Sequence, residues 1–294
     1  MRILVAVDQH PYSAHVVKDV AKLAGNTWAD VTFLGVGPKV ANISRTSNKA
    51  GIKQHLTEAL RNYRCNFLDH FDKEESPYEK RSYNYEFVEV KRGVWEELCV
   101  CRGARKELKI VLRAGNPVKE ILAQSQEDDC DLIAMGCYKK GDCLWKGTIN
   151  LPQKVANNAS CSVLVIKKEE KKIRKIACCL DQENISQKSI EMINQMVTLY
   201  QTELEIVGLT DGTVLKPMVE KNLDAILKYY NARQIKAWIK LVDAVSMASF
   251  ISQEARRSMM ALWMGEHSFL SKMFPRGKVD KLIQGSESSV LLLR

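Results

Sequence analysis

The chain is predicted to be an α/β protein of two tandem doubly wound domains, each a five-stranded, mostly parallel sheet with helices on both faces. Three observations predict this. Each half opens with an apolar run closed by an aspartate, Ile3-Leu4-Val5-Ala6-Val7-Asp8 and Ile176-Ala177-Cys178-Cys179-Leu180-Asp181. Each half also ends alike. Ala134-Met135-Gly136 and Trp263-Met264-Gly265 each precede a helix-like stretch and an apolar finish, Ser162-Val163-Leu164-Val165-Ile166-Lys167 and Ser289-Val290-Leu291-Leu292-Leu293-Arg294. Between these markers, strand-length apolar runs alternate with segments of helical period, as βαβ units do. Such self-similarity signals a tandem of like domains.

Residues 3–8 form a continuous aliphatic run, as a strand buried on both sheet faces requires. Val16, Val17, Val20, Leu23 and Ala24 share one face of a helix over 13–24. Val31 to Val36 is the second strand, ended by Gly37-Pro38. Ile52, Leu56, Leu60, Tyr63, Phe67 and Phe71 recur at three- and four-residue steps, which predicts an amphipathic helix. After a charged stretch, Tyr83 to Val90 alternates as an extra strand or extended loop would. Lys109 to Arg113 is a strand, and Pro117 to Gln126 a helix capped by Asn116 with proline in its first turn. Leu132 to Met135 is a strand, residues 148–157 a helix and 162–166 the last strand of this half.

The run of alternating charges from Glu169 to Lys175 is the linker. The domains are therefore 1–168 and 176–294. The second half repeats the order, with strands at 176–180, 204–209, 236–242, 260–264 and 289–293 and helices at 186–200, 217–230, 245–256 and 276–284. Twenty-one residues before Gly136 stands Gly115, and twenty-one before Gly265 stands Ala244, so the C-terminal portions register without a gap. The first domain carries about 44 extra residues, all within 39–108.

At 294 residues with 46% hydrophobic content, the chain is long and apolar enough for two cores. No apolar run reaches transmembrane length, and Met1-Arg2 before the first run reads as a strand start rather than a signal peptide. A cytoplasmic location is expected. The nine cysteines are scattered and odd in number, which favours buried thiols over a disulfide framework. Cys99-x-Cys101 and Cys137-x5-Cys143 lack the paired spacing of a zinc site. The net charge of +9 lies mostly in the first 168 residues, without an arginine-rich helix or aromatic-basic repeat.

These elements, in this order, resemble the universal stress protein family. The first strand with Pro11-Tyr12-Ser13 resembles its opening. Arg113-Ala114-Gly115-Asn116-Pro117-Val118 resembles its third strand and turn, Asp131 to Gly136 its fourth strand, and Asn158 to Ile166 its ending. The resemblance implies the adenine nucleotide alpha hydrolase-like fold. It also implies an adenine nucleotide such as ATP on a G-x-x-G-x9-G-[ST] loop after strand four. There, glycines let backbone N–H groups close on phosphates at a helix N-terminus. Carried over, the binding residues are Ala6, Asp8, Val36, Met135, Gly136, Gly147 and Thr148. Asp8 would face the adenosine, and a residue ending strand two would pack on the base.

The loop departs from that pattern. Lys139 replaces the second glycine, and Gly147 follows Gly136 by eleven residues where the family has thirteen. Two readings stand: Lys139, Lys140 and Lys146 compensate for lost backbone contacts, or the loop only closes the fold. In the second domain Ser268 replaces the second glycine, Lys278 the hydroxyl residue, and Glu266 places an acid where phosphates would lie. That half is expected to bind no nucleotide and to act as an intrachain pseudo-dimer partner, with 162–166 and 289–293 as contact strands. The resemblance also leaves room for a homodimer.

The chain shows no catalytic constellation. None of His10, His15, His55, His70 and His267 has triad or metal spacing, and no Walker or GxGxxG motif follows strand one. The expected function is a non-enzymatic stress-response binding protein that senses adenine nucleotide through its first domain. The alternative is a nucleotide-independent protein interaction module using the 39–108 expansion. A third reading is nucleic-acid binding through the basic first domain. No metal and no membrane partner are expected.

Overall fold

The computed structural model describes residues 1–38, 48–71, 76–78, 86–98, 105–137, 150–167, 173–180, 186–210, 215, 217–264 and 282–294. The chain divides into two compact units, one holding Met1–Cys137 and Cys143–Val163, the other Leu164–Arg294.

The first unit contains β1 (Arg2–Ala6), α1 (Tyr12–Thr27), β2 (Asp30–Gly37), α2 (Asn48–Leu68), β3 (Glu86–Lys91), β4 (Val94–Leu98), β5 (Leu108–Ala114), α3 (Pro117–Glu127), β6 (Leu132–Cys137), α4 (Leu151–Asn158) and the start of β7 (Ser162–Lys167). Its sheet runs β6-β1-β2-β5-β4-β3. β1 is central and parallel to both neighbours, with Ala6 opposite Leu34 of β2 and Met135 of β6. Ile3 to Val7 are buried, as the unbroken apolar run requires. Helix α1 buries the predicted face, Val16, Val17, Val20, Leu23 and Ala24. It packs on α2 and β6, while α3 packs on α4 and reaches β1 and β2. Helix α3 starts as predicted: the Asn116 side chain accepts from the Lys119 N–H at 3.2 Å, with Pro117 in the first turn.

Strands β3 and β4 extend the parallel sheet. They form an antiparallel hairpin on β5, with Trp95 opposite Leu112 and Glu96 opposite Val111. Arg92 and Gly93 make the two-residue turn, and Gly93 has φ +79°, which glycine adopts without steric cost. Glu97 anchors the hairpin. Its side chain is buried and accepts from Arg61 Nε at 2.8 Å and from Arg64, both on α2. The Arg61 guanidinium lies over the Phe87 ring of β3 at 5.4 Å.

The second unit contains β8 (Lys175–Cys179), α5 (Gln187–Tyr200), β9 (Glu203–Thr210), α6 (Pro217–Asn231), β10 (Ala237–Asp243), α7 (Met247–Glu254), β11 (Met259–Trp263) and β12 (Val290–Leu293). Its sheet runs β10-β9-β8-β11-β12, and all four neighbouring pairs are parallel. The helix expected over 245–256 is shorter. The Asp243 side chain accepts from the Val245 N–H at 2.8 Å and sets a 3-10 turn, Ala244–Ser246, before α7. Helix α6 follows β9 as α2 follows β2, and among the described residues within 39–108 the first unit adds a longer helix, 21 residues against 15, and the hairpin that follows.

Candidate functional site

The parallel strands bring the predicted site residues to one end of the first unit. Ala6 and Met135 lie in register on adjacent strands and are fully buried. Gly136 follows Met135, and Asp8 lies just past the end of β1. Val36 lies one strand over, opposite Arg113 of β5, and is partly exposed. Gly147 and Thr148 fall outside the described residues, as do Asp181 and the rest of the two expected loops, from 138 and from 265 onward. The position where β1 is flanked by β2 and β6 is where open α/β sheets bind ligands.

Asp8 stands in a dense set of hydrogen bonds. Its Oδ1 accepts from the His10 backbone N–H at 2.9 Å and from the Ser13 hydroxyl at 2.9 Å. The Ser13 oxygen in turn accepts from the Asp8 N–H at 3.1 Å. The Oδ2 atom accepts from the Tyr12 hydroxyl. The Asp8 carbonyl accepts from the Tyr63 hydroxyl of α2 at 2.9 Å. The carboxylate is 13% exposed, with the His10 Nε2 at 3.9 Å from Oδ2. The His10 ring stacks on Tyr12, centroids 5.5 Å apart. Burial pushes the Tyr63 phenol up, its hydrogen bond with Ser13 offsets part of this, and the Asp8 charge adds to it. Tyr63 therefore stays a donor at neutral pH.

Gly136 has a packing reason to be glycine. A Cβ there would lie 2.3 Å from Tyr12 Cδ2 and 3.0 Å from Val16 Cγ2. The Tyr12 ring thus rests on the end of β6 while its hydroxyl reaches Asp8 at the end of β1. Tyr12 and Tyr63 are the contacts that sequence reasoning missed. Tyr12 stood only within the resemblance to the family's opening, and Tyr63 only within an apolar helical stripe. The available signal was the phenol itself, since a buried tyrosine hydroxyl needs a partner.

Arg113, the next-to-last residue of β5 and opposite Val36, is 5% exposed. Its Nε donates to Glu120 at 2.8 Å, and Nη1 donates to Gln124 at 2.8 Å and to Glu127 at 3.1 Å. Burial opposes its charge, but the bonds to Glu127 and Glu120 outweigh this and raise its pKa. It is committed to α3 rather than offered to a phosphate.

Cys130, Cys178 and Cys179 are buried free thiols, while Cys65 and Cys161 are free and at least partly exposed. Cys137, however, is disulfide-bonded, so it offers no thiolate to a metal. Among the described residues no group of His, Cys, Asp and Glu is arranged to hold a metal ion. No described helix is long and apolar enough to cross a membrane.

Residues 1–167 match the universal stress protein family, and the chain belongs to that family. No curated protein matches it in sequence. Among solved structures, a universal stress protein from Archaeoglobus fulgidus DSM 4304 is 12% identical with a TM-score of 0.58, over 100% of this chain and 96% of that one. A protein of unknown function from Pseudomonas aeruginosa PAO1 is 15% identical with a TM-score of 0.54, over 99% and 92%. The cytoplasmic domain of a prokaryotic cation chloride cotransporter is 9% identical with a TM-score of 0.51, over 99% and 94%. At such identities these likenesses speak for the fold alone.

Proposed function

We propose that this universal stress protein is a non-enzymatic binding protein that takes an adenine nucleotide at the β1 and β6 strand ends of its first unit. One observation carries the reading. A nearly buried carboxylate, Asp8, lies at the ligand end of the central parallel strand, beside a glycine at the end of β6. The second half, with Glu266 and Lys278 in its loop, serves as a partner without nucleotide. The test is mass spectrometry of ligand released from denatured, freshly purified protein, together with thermal shift against millimolar ATP. An adenine nucleotide, or a stabilisation that Asp8→Ala abolishes, is expected. Neither appearing would overturn the reading.

Stress response in the cytoplasm completes this reading. The Cys137 disulfide is a bond uncommon in a reducing compartment, so thiol trapping of Cys137 in intact cells is the test of this location. Full oxidation there would count against a cytoplasmic location.

One observation favours the nucleotide-independent reading. Strand β3 ends the first unit's sheet among the described residues, with Val88 and Val90 exposed at 43% and 53%. Edge strands of this kind pair with incoming strands. This reading predicts a partner lost on Val90→Pro and retained by nucleotide-free protein.

A further inference from the structure

The two carboxylate oxygens of Asp8 have different work. Oδ1 takes the His10 N–H and the Ser13 hydroxyl, the local bonds that turn the chain from β1 into α1. Oδ2 takes the phenol of Tyr12. The turn is already held through Oδ1, so the Tyr12 bond is additional to it.

Tyr12 is also placed to block. It is 3% exposed, and its ring meets the end of β6 so closely that Gly136 cannot carry a Cβ. One side chain therefore spans the two strand ends between which a ligand of this fold is seated. With Oδ1 already taking two donors, Oδ2 is the oxygen left for a hydroxyl or amine of an entering nucleotide, and the Tyr12 phenol occupies one of its lone pairs.

We infer that Tyr12 is a built-in competitor for this site, its phenol holding the Asp8 oxygen that a nucleotide must take. The inference rests on the nucleotide reading above and adds a regulatory element to it. A protein that binds only in its minor, open form shows an affinity lowered by that form's population. Removing the hydroxyl removes the competition and should tighten binding.

The experiment is calorimetric titration of ATP and of adenosine into wild type and Tyr12→Phe, which keeps the ring on Gly136 and loses only the donor. Tyr12→Met serves as a second variant without the donor, and melting temperatures check that each folds. Affinity should rise about tenfold in both, a change of about 1.4 kcal/mol. The gain should vanish on an Asp8→Ala background. Tyr230→Phe, which deletes a buried phenol bonded to the Ile190 carbonyl in the second unit, should change nothing. Equal or weaker binding by both Tyr12 variants overturns the competition alone. No binding of either ligand to any of the proteins removes the nucleotide reading and the competition with it.

Discussion

Gly136 shows how one position can be fixed by packing before it is asked to bind anything. Glycines at strand ends suggest phosphate contacts because they let a backbone approach closely. Here the close approach is made by the Tyr12 ring, 2.3 Å from where a Cβ would sit. Gly136→Ala should therefore cost about 1–3 kcal/mol, the usual range for overpacking, and lower the urea midpoint even without ligand. An unchanged midpoint would mean that Tyr12 can leave its seat freely. Asp8 and Gly136 were legible in the sequence because a lone aspartate and a lone glycine close apolar runs. Tyr12, only four positions from Asp8, was not, because its contact with Gly136 forms only when β6 lies beside α1, and Tyr63 was not, because its partner lies across the fold. Tyr63 is 55 positions from Asp8 and reaches its carbonyl only once α2 has docked.

The hairpin carries a different lesson. Most other elements announced themselves through apolar period, and Asn116 through its capping chemistry. Strand β4 did not, because its Val-Trp-Glu-Glu-Leu pattern puts a charge where an inward apolar residue belongs. Glu97 points inward, and Arg61 and Arg64 on α2 make that burial tolerable. Breaking a buried pair leaves an uncompensated charge and costs about 3–5 kcal/mol. Arg61 is 41% exposed and regains water, so Glu97→Ala belongs at or below the lower end of that range. The loss should be local. Hydrogen exchange of β3 and β4 amides should accelerate before that of β1 or β6. Uniform acceleration across the first unit would show that the hairpin is integral to the core rather than tied on by Glu97.

The repeat was legible because two copies of one pattern were present in a single chain, and the family match covers the first of them, residues 1–167. What it did not show is that both units bury many titratable groups, which makes the protein's response to pH predictable. Burial pushes the Cys130 thiol up to about 12, with the Asp128 charge adding to it. Burial likewise raises Cys178, Cys179, Tyr78 and Tyr230. In the unfolded chain thiols ionise near 8.5 and phenols near 10. Above these values the unfolded state releases protons that the folded state retains, so the stability these groups contribute is complete below about pH 8.5 and declines as pH rises. Each thiol adds up to about 1.4 kcal/mol per pH unit to that decline. On the acid side the sign reverses. Burial opposes the charges of Glu127 and Glu254, but Lys91 and Arg113 in one case, Lys175 and Ser258 in the other, hold both below the ordinary carboxylate range. Their contribution is present above the unfolded carboxylate pKa and is lost as pH falls through the folded one. The urea midpoint should therefore be highest near neutrality and fall markedly between about pH 8.5 and 10. Cys130→Ala and Cys178→Ala should each flatten the alkaline limb while leaving the acid limb in place. A midpoint that holds steady up to pH 10 would contradict the burial of these thiols.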